Sequence, residues 1–251
     1  PEVFQNQIPY DGIEIHLKGN MLLLAGHEQR GVIYAVNTFL ETVLGIRWWT
    51  STEQFVPIHK TLQLDSLDIS YAPKLIYREA FYKDAFDPVF AMRMKCNGHF
   101  GKTTPEYGDH HHFSYWCHSF FELISPEKYF KDHPEWFSEI NGVRQHENAQ
   151  LCLTNDEMRK ELTKNVIEAL RKNPEAKFVS VSQMDWYGPC MCEKCREIVE
   201  KEEAQSGPLV HFINKVAEDV EKEFPNVFVE TLAYNYTRKP PMHVKPRKNV
   251  V

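Results

Sequence analysis

Residues 178–188 read FVSVSQMDWYG, so that an apolar β-strand pattern runs directly into Asp185, Trp186 and Tyr187. In parallel barrels the catalytic groups lie where strands end at their carboxyl edge. Asp185 is therefore the first candidate catalytic residue, as a general acid or an electrostatic stabiliser. The competing interpretation is a loop or helix-capping carboxylate. The two aromatic neighbours favour a sugar ligand, because the C–H face of a sugar stacks on a ring while a carboxyl group protonates the glycosidic oxygen.

Short apolar runs alternate with amphipathic segments over residues 73–251, which is typical of βα units around a parallel sheet. Candidate strands are residues 75–81, 150–153, 178–184 and 227–233. The last two should be adjacent and parallel, because successive βα units usually place their strands side by side. A complete eightfold barrel takes about 250 residues. We therefore predict five parallel strands forming part of a (β/α)8 TIM-type barrel, and we expect the chain to be a fragment of a longer protein.

Several sequence patterns in this region predict where helices begin. Asp87-Pro88 and Gly207-Pro208 each place a proline at the start of an apolar-periodic segment. Thr154 with Glu157 forms a capping-box pattern ahead of a helical stripe. Each pattern predicts a helix that begins at that point.

Residues 1–72 read as a separate small α/β domain. Apolar residues alternate over residues 13–17, a Gly-Asn turn follows, and residues 21–25 form a second apolar run, which predicts a β-hairpin. A helix should follow and end at Gly45. Its predicted buried stripe consists of Val32, Val36, Phe39, Leu40 and Val43.

Composition excludes several classes of protein. The chain has 251 residues, 42% of them hydrophobic, which is typical of a globular protein and not of a disordered one. With 29 basic and 35 acidic residues its net charge is −6, which argues against a nucleic-acid partner. Its unbroken apolar runs are far shorter than the roughly 20 residues of a membrane helix, so we expect no transmembrane segment.

Three of the six cysteines lie close together. Cys190, Cys192 and Cys195 form a C-x-C-x-x-C pattern that could supply three ligands of a tetrahedral zinc ion, with a histidine or a remote cysteine as the fourth. A disulfide and free buried thiols are the alternatives. Cys96, Cys117 and Cys152 are isolated in the sequence, and we interpret them as small buried hydrophobes. No cofactor other than this structural zinc is indicated.

Other polar and aromatic residues fall on predicted strands or near their ends. Glu230 is unusual because an apolar parallel strand has few places for a charge, and it is the second candidate catalytic residue. His118 and Arg78 could contact a substrate, or they could be structural residues that pair within the fold. The full set of candidate substrate-binding residues is Arg78, Trp116, His118, Trp186, Tyr187 and Tyr234.

Several strings resemble known families. Residues 30–41 (RGVIYAVNTFLE) and 44–48 (LGIRW) resemble the small α/β domain that precedes the barrel in α-glucuronidases and β-N-acetylhexosaminidases. Residues 128–137 (KYFKDHPEWF), 150–155 (QLCLTN) and 180–195 resemble a bacterial family common in gut Bacteroides, a domain of unknown function with a glycosidase-like barrel. This resemblance implies an exported glycan-processing protein, located in the periplasm, at the cell surface or outside the cell.

The resemblance carries over only one catalytic position. Hexosaminidases have an Asp-Glu pair after the fourth strand, whereas here Asp185 is followed by Trp186, so a substrate-assisted mechanism is not indicated. The leading hypothesis is a glycoside hydrolase that uses a carboxyl group as general acid on an oligosaccharide or polysaccharide. A carbohydrate-binding protein without catalysis and a metal-dependent hydrolase that uses the histidines or cysteines are the alternatives.

Overall fold

A computed structural model of the chain describes residues 7–64 and 66–251. The chain divides into two compact units, Pro1–His111 and His112–Val251, which we call unit 1 and unit 2. Both combine sheets with helices, so the mixed α/β class predicted from the sequence is confirmed. The domain boundary predicted between residues 72 and 73 falls inside unit 1 and stays a prediction.

Unit 1 is built on a small antiparallel sheet. Its strands are β1 (Ile13–Lys18), β2 (Met21–Gly26) and β5 (Asp68–Tyr71), in the order β2-β1-β5. A two-stranded ribbon, β3 (Arg47–Trp48) and β4 (Gln54–Phe55), comes between them in the chain. The hairpin predicted from the alternating residues is confirmed, since Lys18 pairs with Met21 across the turn.

Helix α1 (Glu28–Thr42) covers this sheet with a face that overlaps the predicted one, because Phe39, Leu40 and Val43 pack against the core. Its buried residues include Gly31, Tyr34 and Phe39, whereas Val36 of the predicted stripe is exposed. The stripe was therefore partly wrong. Gly31 lies so close to the sheet that an added Cβ would be 2.9 Å from the backbone of Gly26. This close backbone contact positions the helix on the sheet. A pattern of apolar side chains does not reveal it, because glycine has no side chain.

The second half of unit 1 has little regular structure. Helix α2 (Pro88–Arg93) begins as predicted, with the Asp87 side chain accepting a hydrogen bond from the Phe90 N–H at 2.8 Å. The strand predicted over residues 75–81 is absent from the described residues. Its backbone is satisfied instead by the side chain of Asn97, which accepts from the Arg78 N–H and donates to the Ile76 carbonyl, both at 2.8 Å.

Unit 2 contains a parallel sheet. Its strands are β6 (His112–Ser114), β9 (Ala176–Ser180) and β10 (Phe228–Glu230), in the order β10-β9-β6, and a separate antiparallel hairpin joins β7 (Glu139–Ile140) to β8 (Val143–Arg144). Phe228 lies opposite Phe178, so the predicted adjacency and parallel direction of these segments are confirmed.

The predicted number of five parallel strands was wrong for the described residues. Beyond the three strands, the sheet gains only a parallel bridge between Val229 and Val250. Residues 150–153 do not form a strand of this sheet, because Leu151 pairs antiparallel with Phe137 instead.

Five helices complete unit 2 among the described residues: α3 (Phe120–Leu123), α4 (Pro126–Tyr129), α5 (Asp156–Lys172), α6 (Glu193–Glu202) and α7 (Ser206–Glu223). Apolar side chains of α5 and α7 bury the sheet residues Val179 and Val229 completely. Asn155 caps α5 by accepting from the Met158 N–H at 2.9 Å, so the cap predicted at Thr154 was wrong by one residue. In the part of the chain that is described, no helix has the length and hydropathy needed to cross a membrane.

Candidate functional site

The carboxyl ends of the three parallel strands bring several predicted residues together. Cys117 and His118 follow β6, Asp185 follows β9, Glu230 is the last residue of β10, and Tyr234 comes four residues later. We call these five residues the strand-end site. Parallel strands end at one edge of a sheet, and ligands of open and closed α/β sheets bind at that edge.

The imidazole of His118 is held in one orientation. Its backbone lies in the left-handed region (φ 59°), and its N–H donates to the Ser182 hydroxyl at 2.8 Å. Nδ1 is 2.7 Å from the Gln183 carbonyl oxygen. A carbonyl only accepts, so Nδ1 carries a proton. Nε2 remains, and it lies 4.0 Å from Oδ1 of Asp185.

Buried serines fix the loop after β6 to the segment after β9. The Ser119 hydroxyl donates to the Ser180 carbonyl at 2.7 Å and accepts from the Ser182 N–H at 3.1 Å. The Ser180 and Ser182 hydroxyls are 2.9 Å apart. All three residues are buried. These contacts hold His118 in place, because His118 directly precedes Ser119.

The side chain of Gln183 fixes the other flank of the site. Its Nε2 donates to the Leu232 carbonyl at 3.0 Å and to the Thr237 hydroxyl at 2.8 Å. It also lies 3.3 Å from the Tyr234 carbonyl oxygen. Gln183 is fully buried, so one side chain sets the path of the chain beyond β10.

Glu230 is the more enclosed of the two carboxyl residues of the site, because it is partly buried whereas Asp185 is exposed. Its Oε2 is buried and has no hydrogen-bond partner among the described residues. Burial raises the pKa of Glu230, and this effect exceeds the opposing influence of Ser180 and His118. A carboxyl group in this state holds its proton more firmly than one in water.

Asp185 has the opposite surroundings. Its side chain is 61% exposed, so it lies in water and not in the partly dry surroundings that a general acid needs. It accepts a hydrogen bond from Tyr234, and this bond and the negative charge raise the pKa of Tyr234. Cys117 lies near both acids: burial and the charges of Glu230 and Asp185 raise the pKa of its thiol.

The predicted aromatic residues divide into exposed and packed ones. Tyr187 and Tyr234 are 61% and 45% exposed. The Trp186 indole instead packs edge-on against Phe121 and donates from Nε1 to the Ala149 carbonyl at 2.8 Å. Trp116 packs against Phe113, with ring centroids 4.7 Å apart. The tyrosines therefore offer more ring surface to a ligand than the tryptophans do.

Arg78, the remaining predicted substrate-binding residue, belongs to unit 1 and has other partners there. Its Nη2 forms an ion pair with Asp11 at 2.6 Å, Nε donates to the Lys95 carbonyl at 2.9 Å, and Nη1 donates to the Leu75 carbonyl at 2.7 Å. This is a structural pairing of the kind that the sequence left open as an alternative.

Four buried cysteines of unit 2 converge on one point. Cys152 joins the three cysteines of the C-x-C-x-x-C pattern, and the four sulfur atoms all lie within 4.8 Å of one another. The Cys152 sulfur is 3.8 Å from that of Cys192 and 4.0 Å from that of Cys195. We call Cys152, Cys190, Cys192 and Cys195 the four-thiol cluster. Cys152 is buried, as predicted, but it is not isolated in the fold.

Polar groups surround this cluster. Arg144 Nη1 lies 3.6 Å from the Cys190 sulfur, which also accepts from the Glu139 N–H at 3.3 Å. The Thr154 hydroxyl is 3.2 Å from the Cys195 sulfur, which explains why Thr154 does not cap α5. Hydrogen bonds with Cys190 and Cys195 hold the pKa of Cys152 well below its ordinary range, while Cys152 raises the pKa of Cys190 to about 12.

Sequence reasoning missed Cys117, Cys152 and the buried glutamines as members of these sites. The C-x-C-x-x-C pattern left room for a remote cysteine as fourth ligand, but nothing in the sequence identified it as Cys152. Gln183 lies within residues 178–188, but no sequence pattern there indicates that its side chain contacts backbone carbonyls and a hydroxyl group beyond β10.

A family match and a structural similarity relate this chain to known proteins. The profile of a family described as "Domain of unknown function (DUF4838)" matches residues 48–251. A search of curated proteins gave no match. Among solved structures, a β-N-acetylhexosaminidase from Bacteroides fragilis NCTC 9343 aligns with a TM-score of 0.43 and 14% identity, covering 97% of this chain and 55% of that chain. The chain therefore spans about half the length of that protein.

Proposed function

Since the chain belongs to the DUF4838 family, whose description names no activity, we propose a function from the strand-end site: hydrolysis of O-glycosidic bonds in an oligosaccharide or polysaccharide. We also propose that unit 2 is part of a (β/α)8 barrel. The parallel order of β6, β9 and β10, the helices between them and the bridge at Val250 support this architecture.

The observation that carries the proposal is the buried carboxyl group of Glu230. A glycosidase needs one carboxyl group that stays protonated near neutral pH, so that it can protonate the leaving oxygen. Burial raises the pKa of Glu230 in this direction, and its Oε2 has no partner among the described residues. Glu230 as a whole is only partly buried, so the carboxyl group is not sealed off from the strand-end site.

The second carboxyl group has a different role. Asp185 is largely exposed, and its Oδ1 lies 4.0 Å from His118 Nε2. An ionised partner acts as nucleophile, as general base or as stabiliser of the positive charge that develops on the sugar ring. Two carboxyl groups in contrasting surroundings are typical of acid and base assignments in such sites. We therefore give the acid role to Glu230 and the stabilising role to Asp185.

The exposed tyrosines supply the sugar-binding surface in this proposal. Tyr234 is hydrogen-bonded to Asp185, and Tyr187 packs edge-on against Tyr236 with ring centroids 5.5 Å apart. Rings fixed in this way bind a sugar face at little cost in side-chain entropy.

The two alternative functions considered from the sequence make different demands on these sites. A carbohydrate-binding protein without catalysis would use the tyrosines but would not need a carboxyl group whose pKa is raised by burial. A metal-dependent hydrolase at the four-thiol cluster is disfavoured, because four sulfur ligands fill a tetrahedral ion and leave no position for water. We further propose export to the periplasm, the cell surface or the medium, on the likeness of residues 128–137 and 150–155 to the Bacteroides family.

Hydrolysis of a panel of glycans and aryl glycosides by the purified chain, with and without a chelator, tests the proposal. Glu230→Gln and Asp185→Asn should each lower kcat/KM at least about 100-fold. Glu168→Gln, on the exposed face of α5, is the matched control and should leave kcat/KM unchanged. Glycan binding without hydrolysis would support the binding-protein alternative, and near-normal activity of both site variants would refute the assignment.

A further inference from the structure

The four-thiol cluster has the dimensions of a single tetrahedral metal site. A zinc ion bound to four cysteine sulfurs at about 2.3 Å requires sulfur–sulfur distances of about 3.8 Å. The observed distances from Cys152 to Cys192 and Cys195 are 3.8 and 4.0 Å, and no pair of the four sulfurs exceeds 4.8 Å. This spacing leaves room for one ion.

The alternatives considered from the sequence fit this geometry less well. A disulfide brings two sulfurs to about 2.05 Å, whereas all four cysteines are free here. Buried thiols that act only as small hydrophobes would be dispersed in the apolar core. These four instead form a cluster of their own, separate from the main core of unit 2.

The surrounding groups suit a negatively charged metal centre. Four thiolates around a divalent cation carry a net charge of −2, and the Arg144 guanidinium lies 3.6 Å from the Cys190 sulfur. The Glu139 N–H and the Thr154 hydroxyl provide hydrogen bonds to Cys190 and Cys195. Such outer contacts orient thiolate ligands and stabilise their charge.

We propose that Cys152, Cys190, Cys192 and Cys195 bind one zinc ion in a closed structural site. Soft thiolate ligands in a tetrahedral set select zinc or iron over magnesium or calcium. The proposal does not depend on the glycosidase assignment, because a closed site takes no part in the chemistry at the strand ends.

The ion would join parts of unit 2 that are distant in the chain. Cys152 precedes the first turn of α5, whereas Cys192 occupies the N-cap position of α6 and Cys195 lies in its first turn. The segment from Asp185 to Cys190 connects the strand-end site to this centre. Zinc would therefore anchor one end of the loop that carries Asp185 and Tyr187.

Elemental analysis of the full chain, purified without chelators and with zinc in the medium, tests the proposal. We expect about one zinc per chain, and X-ray absorption at the zinc edge should show four sulfur ligands at about 2.3 Å. Cys152→Ser should lower the bound zinc at least about tenfold. Cys96→Ser, a cysteine of unit 1, is the matched control and should keep the full content.

A second measurement covers the case in which Cys152→Ser does not fold. Cobalt(II) added to the metal-free native chain should produce thiolate charge-transfer absorption that saturates at one equivalent, and zinc should displace it. A folded native chain that takes up neither ion in stoichiometric amount would overturn the proposal. Nitrogen or oxygen ligands at the zinc edge, a disulfide among the four cysteines, or iron as the bound metal would overturn it as well.

Discussion

The side-chain amide of Gln150 forms two hydrogen bonds with the backbone of Met184: the Met184 N–H donates to Oε1 at 2.9 Å, and Nε2 donates to the Met184 carbonyl at 3.1 Å. Nε2 also donates to the Trp186 carbonyl at 2.8 Å. Gln150 is 1% exposed. One buried side chain therefore supplies the backbone partners that a strand would otherwise provide to the loop around Asp185.

Gln150→Met keeps a similar volume and removes these three hydrogen bonds. We expect the free energy of unfolding to fall by at least about 2 kcal/mol, because buried backbone groups are left without partners. Gln145→Met removes a partly exposed amide and should cost less than about 0.5 kcal/mol. Urea unfolding of both variants measures the difference, and equal losses would show that the amide contacts do not stabilise the loop.

Gly188 marks the other close contact of this loop. Its φ is +96°, and an added Cβ would lie 2.2 Å from the Asn148 carbonyl oxygen. Gly142 also has a positive φ (+79°), but an added Cβ there would meet no described atom within 4 Å. Gly142→Ala should cost about 1 kcal/mol from backbone strain alone. Gly188→Ala should cost at least about 2 kcal/mol more in thermal or urea unfolding, because a backbone atom must move.

If Gly188→Ala and Gly142→Ala proved equally stable, the loop would be able to shift away from Asn148 without loss. A crystal structure of Gly188→Ala would then show the displacement directly. The expected result is a displaced loop together with the larger loss of stability.

Two of the three parallel strands, β9 and β10, were predictable because they are short apolar runs in the sequence, whereas β6 was not among the candidate strands. The parallel pairing of residues 178–180 with residues 228–230 follows from this pattern and from the tendency of successive βα units to pair. The strand predicted over residues 75–81 failed for a local reason. The side chain of Asn97, some twenty positions away, forms hydrogen bonds with the backbone of Ile76 and Arg78. A periodic pattern of apolar residues does not indicate such a contact.

The candidate sites were predictable only in part. Asp185 was recognised as a charge at the end of an apolar strand and Glu230 as a charge in the middle of one, but which one is more buried depends on tertiary packing. The three clustered cysteines were recognised by their spacing. Cys152 was not, because forty positions of chain separate it from Cys192 and only the fold brings the two sulfurs together.

Replacement of Asp11 tests the ion-pair network that includes Arg78. It is 2% exposed and pairs with Arg30 at 2.9 Å and Arg78 at 2.6 Å. Burial alone would raise the pKa of Asp11, but the two guanidinium groups lower it below its ordinary value. Asp11→Asn leaves two partly buried cations without their carboxylate, so we expect a loss of about 3 kcal/mol or more at neutral pH.

The pH dependence of the same network has a definite sign. Because the folded-state pKa of Asp11 is lowered, its contribution to stability is present above the ordinary value of 3.8 and is lost as the pH falls below it. The stability difference between the native chain and Asp11→Asn should therefore shrink on acidification. Asp132→Asn, at an exposed position, is the control. A difference that does not change with pH would contradict the ion-pair account.

Glu230 should make the chain less stable as the pH rises, the reverse of Asp11. Below the ordinary pKa of 4.5 the carboxyl group is neutral in both the folded and the unfolded chain. Above it the unfolded chain ionises first, because burial raises the folded-state pKa, and each unit of difference costs about 1.4 kcal/mol of stability. Glu230→Gln has no proton to lose, so its stability relative to the native chain should be higher at pH 7 than at pH 4. Urea unfolding at both pH values measures this shift, with Glu168→Gln as the exposed control. A Glu230→Gln effect that is the same at both pH values would mean that the carboxyl group ionises freely in the folded chain, and the general-acid role would then lose its physical basis.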